Sequence, residues 1–222
     1  MKVSVIIPAK EEAKTIADVI EGCRGHADEL LVIDGHSRDG TAEVARRCGA
    51  EVHLDAGKGK GAALRQGIAL ATGEVLVFID AEGSHDPDDI PRLVMPIVEG
   101  RAEHVQGSRI MGGSDELHGD VSKFLRNIGS DIITCGINLR FGAALTDSQN
   151  GFRAILREVA LTLDLREDLT TIEQELIIKT LRAGYRLLEV PTHEYRRLYG
   201  HSKISLRRHS WRYVYSWLRY LL

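Results

Sequence analysis

Three carboxylic acids crowd the end of one apolar run in FIDAEGSHDP, residues 78 to 87: Asp80, Glu82 and Asp86. Val75 to Ile79 read as a strand buried on both faces, Gly83 loosens the backbone, and Pro87 suits the first turn of a helix. Like charges this close are costly unless a cation or a polar ligand sits among them. At an extended strand end, residues i and i+2 point to the same side, so Asp80 and Glu82 can converge on one hard divalent cation. Their oxygens suit Mg²⁺ or Mn²⁺, which bind through one or two protein carboxylates together with waters and substrate phosphates. The plainer use of the cluster is to cap the next helix, and Asp86 alone can do that.

Two more stretches carry chemistry. GKGKGAALRQG, residues 57 to 67, alternates glycines with Lys58 and Lys60 and sets Arg65 a turn further on, so cations and a helix N-terminus suited to phosphate come together. It lacks the GxxxxGK[ST] pattern of a P-loop, and an ordinary solvated basic loop is the bland alternative. VIDGHSRDGT, residues 32 to 41, ends on Asp34, whose carboxylate can accept hydrogen bonds from a nucleobase edge or a ribose; Asp39 and Thr41 suit turn and helix capping.

The elements that must position these residues alternate. VSVII (3 to 7), LLVID (30 to 34), EVHL (51 to 54), EVLVFI (74 to 79), HVQGS (104 to 108) and RLLEVP (186 to 191) are expected strands. Helices are expected from near Lys10, Gly40, Lys58 and Pro87, and over about 120 to 139, 156 to 163 and 170 to 183, with an irregular loop over 111 to 120. Such alternation implies an α/β fold with a mainly parallel sheet, whose ligands bind beyond the carboxyl ends of the strands. Three of those ends are polar: PAKEE, DGHSRDGT and DAEGSHD.

Composition narrows the classes. At 222 residues with 43% hydrophobic and 27% charged content, one soluble domain over 1 to 204 with a C-terminal helix over 205 to 222 is expected. A net charge of -3 speaks against nucleic acid as a partner. Three scattered cysteines without metal-ligand spacing suggest buried thiols in a reducing compartment, and with no 18-residue apolar run the expected location is cytoplasmic. None of the histidines forms an i, i+4 metal pair, and His85 is the one placed beside the acids.

PAKEE, VIDGHSRDGT, GKGKGAALRQG, FIDAEGSHDP, GSR (107 to 109), DSQNGFRA (147 to 154) and EVP…RLYGHSKIS (189 to 205) resemble, in order and spacing, the family 2 glycosyltransferases, and within them the dolichyl-phosphate or polyprenyl-phosphate mannose or glucose synthases. The resemblance implies a GT-A fold, a UDP- or GDP-linked hexose donor, a divalent metal, inversion at the anomeric carbon and a polyprenyl-phosphate acceptor. It puts Pro8, Ala9, Lys10, Glu12 and Asp34 at the nucleoside, and Asp80, Ala81 and Glu82 on the DxD motif, although the family usually has Asp where Glu82 stands. Lys10 likewise replaces a common aromatic or polar residue. Arg109, Arg126, Arg197 and Lys203 fall where donor or acceptor phosphates are held, with Ser108 beside the acceptor phosphate; Arg197 and Lys203 flank Gly200 as a closing clamp.

An anionic acceptor needs no general base, whereas a hydroxyl acceptor needs a carboxylate such as Asp147, Glu173 or Glu175. A soluble hydroxyl or phosphorylated acceptor, a sugar nucleotidyltransferase and a non-catalytic nucleotide-binding module are the alternatives. The nucleotidyltransferase would carry GxGxR after its first strand, where this chain has PAKEEAKTI. In the tail, Trp211, Val214, Tyr215, Leu218 and Leu222 share one helical face beside Arg208, Arg212 and Arg219. Such a helix either lies on an anionic membrane surface as a peripheral anchor or packs on the domain or a second copy.

Overall fold

Apolar residues fill both faces of the central strands, and the sheet they build is covered on both sides. The computed structural model describes residues 1–116, 121–197, 199 and 206–222, without the side chains of 121–123, 125 and 206–210. Among the described residues the strands are β1 (Val3–Ala9), β2 (Glu29–Asp34), β3 (Glu51–Leu54), β4 (Val75–Phe78), β5 (His104–Ser108), β6 (Arg153–Leu156) and β7 (Leu187–Pro191). The helices are α1 (Ile16–Cys23), α2 (Thr41–Arg47), α3 (Lys60–Leu70), α4 (Ile90–Val98), α5 (Arg109–Gly112), α6 (Val121–Phe141), α7 (Arg157–Thr162), α8 (Ile172–Arg182) and α9 (Leu206–Leu221).

The sheet runs in the order β3-β2-β1-β4-β6-β5-β7. It is parallel except around β6, which is antiparallel to both β4 and β5. Alternation along the strands divides the core. Val5, Ile7, Val32, Val75 and Val77 face α1 and α4, whereas Ile6, Leu31, Ile33, Leu76 and Phe78 face α3 and α8. A third cluster joins Ile133 and Ile137 of α6 to Ile177 and Ile178 of α8 and Tyr220 of α9.

Strand order reverses at β1, with β2 and β3 on one side and β4 on the other, so a crevice opens beyond the carboxyl ends of β1 and β4. Residues 10 to 12 and 80 to 82 lie there. The helix expected from near Lys10 begins only at Ile16. Glu11 has φ +54°, and the loop amides are taken by side chains of the β2–α2 loop: Glu11 N–H donates to Ser37 Oγ (2.8 Å), Glu12 N–H to Thr41 Oγ1 (2.9 Å) and Ala13 N–H to Asp39 Oδ2 (3.0 Å).

Strand β6 was not expected, because RAIL is short and opens on an arginine. In the expected irregular stretch 111 to 120, residues through Gly112 finish α5, Ser114 bridges to Glu194, and 117–120 lie outside the described residues. Cys23 is buried, but Cys135 is exposed, contrary to the expectation of buried thiols. No helix among the described residues is long and apolar enough to cross a membrane.

Candidate active site

The first wall of the crevice comes from β1 and β2. Asp34 ends β2 and is 1% exposed; Oδ2 accepts the Ser37 N–H at 3.0 Å, while Oδ1 is buried with no hydrogen-bond partner. An orphaned acceptor of this kind calls for a ligand donor. Pro8 and Glu12 are half-buried nearby, Ala9 is buried, and the exposed Lys10 lies with its stem over Gly35.

The second wall is the DAE turn after β4. Ala81 is buried, and its carbonyl accepts from Thr15 Oγ1 at 2.8 Å, tying this turn to the loop after β1. Lys60 Nζ, at the start of α3, stands 2.6 Å from Asp80 Oδ1 and 2.9 Å from Glu173 Oε1. Glu173 is held from its other side by Arg153, fully buried on β6, at 2.6 Å. Gly151 packs on this chain of charges: a Cβ there would lie 2.8 Å from Lys60 Nζ and 2.9 Å from Asp80 Oδ2. Burial opposes the Asp80 charge, but Lys60 and then His85 hold its carboxyl below the usual carboxylate range. Burial and then the Asp80 charge push the Glu82 carboxyl up to about 7, with Arg197 opposing. Glu82 accepts from Ser84 Oγ at 3.1 Å and is ion-paired to Arg197. Asp86 does separate work: its Oδ1 accepts the Asp88 N–H (3.0 Å) at the turn begun by Pro87.

A third group lies beyond β5. Arg109 makes a two-pronged ion pair with Asp147 (2.6 and 3.0 Å) and reaches Glu194 at 3.3 Å. Burial opposes the Asp147 charge, yet Arg109 holds its carboxyl below the usual range. Ser108 does not face a ligand space. It is fully buried, bonded to Thr146 Oγ1 (2.6 Å), and accepts the Met111 N–H to cap α5, so the acceptor-phosphate expectation for it is corrected.

Nor does GKGKGAALRQG form a phosphate cradle. The Gly61 and Ala62 amides that open α3 donate to the Asp168 carbonyl (2.9 and 3.2 Å), and Arg65 is spent on Glu167 O and Asp168. Gly59, at φ +125°, and Gly61 are required by that close approach, since a Cβ on either would come within 3.0 Å of the 167–169 backbone. Lys58 is exposed, and Lys60 alone of these cations joins the acids. Arg126 is half-buried on α6, while Lys203 and Gly200 lie outside the described residues.

A family model described as glycosyl transferase family 2 matches residues 4–162. The chain belongs to that family. Glycosyltransferase AglJ of Haloferax volcanii is 34% identical over 198 residues, which cover 88% of this chain and 63% of that protein. The chain thus spans less than two thirds of that relative. The UDP-N-acetylglucosamine–dolichyl-phosphate N-acetylglucosaminyltransferase of Methanococcus voltae is 28% identical over 211 residues, 84% of this chain and 83% of that protein. Glucosyl-3-phosphoglycerate synthase of Mycobacterium tuberculosis, crystallised with Mn²⁺, UDP and glucosyl-3-phosphoglycerate, shares the fold with a TM-score of 0.78 at 23% identity, covering 99% of this chain and 80% of that one. The GT-A architecture expected from the sequence is therefore the one observed.

The crevice also gathers residues that the sequence reading left without a role. Arg153 and Gly151 were quoted within DSQNGFRA, yet only the fold shows Arg153 anchoring Glu173 and Gly151 making room for the Lys60–Asp80 pair. A charged residue opening an otherwise apolar segment was the available signal. His85 is buried, stacks on Phe152 with ring centroids 5.1 Å apart, and has Nε2 4.0 Å from Asp80 Oδ2. Burial lowers its pKa, against the pull of the Asp80 and Glu194 charges. Glu194 bridges His85 and Ser114 in short β-ladder contacts, which fixes the segment leading to Arg197 against the DAE turn.

The donor set suits a divalent cation. Asp80 and Glu82 are hard carboxylates whose charges already draw an ammonium and a guanidinium as stand-ins. Among the described residues no three His, Cys, Asp or Glu side chains gather as a ligand set. Two carboxylates are what Mg²⁺ or Mn²⁺ needs when diphosphate oxygens complete the shell.

Proposed function

We propose that this family 2 protein transfers a hexose, with inversion, from a UDP- or GDP-linked donor to an acceptor phosphate, with polyprenyl phosphate as the favoured acceptor. The observation that carries the reading is the state of the three carboxylates that could serve as a general base. Asp147 is saturated by Arg109 and by the Gln149 N–H at 3.1 Å. Glu173 is clamped between Lys60 and Arg153. Glu175 is fully buried and accepts the Arg166 and Glu167 amides (both 2.8 Å) and Lys179 (2.7 Å). An acceptor that is already an anion needs none of them.

In this reading an acceptor phosphate oxygen forms the new bond to the anomeric carbon as the bond to the β-phosphate breaks, and the electron pair leaves on the nucleoside diphosphate. Asp34 Oδ1 receives a hydrogen bond from the nucleoside, and Lys60 keeps Asp80 ionised and fixed. Asp80 and Glu82 would hold Mg²⁺ or Mn²⁺, which supplies Lewis-acid neutralisation of diphosphate charge when bound. Arg197, already beside Glu82, contributes positive charge where the leaving group develops its own, and Arg109 holds Asp147 in place. Arg126 and Lys203 are assigned to phosphate. The dolichyl-phosphate acceptor of the Methanococcus relative and the UDP and Mn²⁺ of the Mycobacterium structure support acceptor class, donor class and metal.

The test is a panel of UDP- and GDP-sugars with Mn²⁺, offered a short-chain polyprenyl phosphate, a soluble phosphorylated acceptor or a neutral sugar hydroxyl. Transfer to the lipid phosphate is expected. Transfer only to the neutral hydroxyl refutes the argument from saturated carboxylates, and failure to consume any donor refutes the enzyme reading.

A further inference from the structure

Helix α9 has two faces, and packing accounts for only one. On the inner face, Tyr213 Oη meets Thr170 Oγ1 at 2.5 Å, and Tyr220 is buried against α8. Trp217 presses on α6 so closely that a Cβ on Gly136 would overlap its ring. The outer face shows Trp211, Val214, Tyr215 and Leu218 to solvent, Trp211 at 60% and Tyr215 at 59% exposure.

Helix α6 repeats the pattern. Phe124, Ile128, Ile132 and Leu139 fall within about 80° of its circumference at 100° per residue. All four are exposed, Leu139 at 82%, while Ile133 and Ile137 fill the opposite side. Both apolar stripes therefore lie on the side of the helix pair that faces away from the domain. The sequence singled out the stripe on α9 but not the one on α6.

Charge decides what covers this face. On α9 the exposed Arg212 and Arg219 border the Trp/Tyr stripe, whereas the stripe on α6 is bordered by Asp131, in a chain whose net charge is -3. Anionic headgroups complement the Arg212 and Arg219 guanidiniums beside the α9 stripe. Exposed Trp and Tyr beside arginine suit the boundary between headgroups and acyl chains. We propose that α6 and α9 together form a docking surface for an anionic phospholipid bilayer. The surface deepens the lipid-acceptor reading and rests on it for its purpose. The Tyr213 hydroxyl on the inner face is within electrostatic reach of Glu173, Lys60 and Arg126, so α9 itself packs beside that part of the site.

The full chain is sedimented with phosphatidylcholine vesicles, with and without phosphatidylglycerol. Binding is expected only with phosphatidylglycerol and should weaken with salt. Ile128→Asp combined with Ile132→Asp, on α6 alone, should weaken it about tenfold or more while leaving the thermal midpoint and turnover of a short-chain, water-soluble polyprenyl phosphate unchanged. No vesicle binding by the wild type, or undiminished binding by the double variant, overturns the proposal. So does a wild-type dimer that the double variant makes monomeric, since a second copy then covers the face. Vesicle binding without transfer to any acceptor removes the acceptor reading and leaves the docking surface supported.

Discussion

Replacing Lys60 by Met removes the cation on which the acids of the site depend. Its Nζ lies 2.6 Å from Asp80 and 2.9 Å from Glu173, whose side chain is 5% exposed. Met keeps most of the stem, so the loss is electrostatic. Deleting one partner of a buried pair costs about 3–5 kcal/mol, because an uncompensated charge stays inside. Arg153 still neutralises Glu173 at 2.6 Å, which favours the lower end, about 3 kcal/mol. For a chain of this length that lowers Tm by roughly 6–12 °C.

The pH dependence has a definite sign. In the wild type the Asp80 carboxyl lies below its ordinary value, so its contribution is present above the unfolded pKa and lost as pH falls through the folded one. Without Lys60, burial dominates and raises that carboxyl above the unfolded value. The variant then regains stability as protons are added, and its deficit narrows between about pH 7 and about pH 5. Urea denaturation followed by far-ultraviolet circular dichroism at both pH values measures the deficit. A variant as stable as the wild type near neutral pH, or a deficit independent of pH, would refute the role given to Lys60.

Asp34→Asn should leave the stability of the free protein within about 1 kcal/mol, because the bond to the Ser37 amide can persist, yet abolish the thermal shift produced by UDP or GDP; an undiminished shift removes Asp34 from the nucleoside site. Glu82→Gln should flatten a pH slope: with a folded pKa of about 7 against an unfolded value near 4.3, the wild type without metal loses about 2 kcal/mol as pH rises from about 5 to about 7. Equal slopes in denaturant titrations of the two proteins would count against it. Gly136→Leu must push Trp217 off α6, for an expected loss of about 1–3 kcal/mol and a shift in tryptophan emission, and no change in either would show the helices apart in solution.

What was legible in the sequence was whatever is local. Runs such as VLVF declare a doubly buried strand, and the polar ends of β1, β2 and β4 announce a shared edge, because strand direction and residue order alone decide that. Strand β6 escaped because a four-residue segment opening on Arg153 has neither period nor composition to mark it, and its place between β4 and β5 is set only by pairing far along the chain. The same limit explains GKGKG. Its glycines suggest freedom in sequence, but in the fold they admit the 167–169 backbone to the start of α3, and that contact consumes the amides and Arg65 that a phosphate would have used. Lys60 is left pointing to the other side of the helix start, toward Asp80. A charge cluster read from sequence thus states which ions are available, and the pairings made by distant segments decide which of them remain for a ligand. At this site they remove Arg65 and Ser108, bind Glu173 into a buried chain of charges, and leave Asp34 Oδ1 as a buried acceptor without a partner.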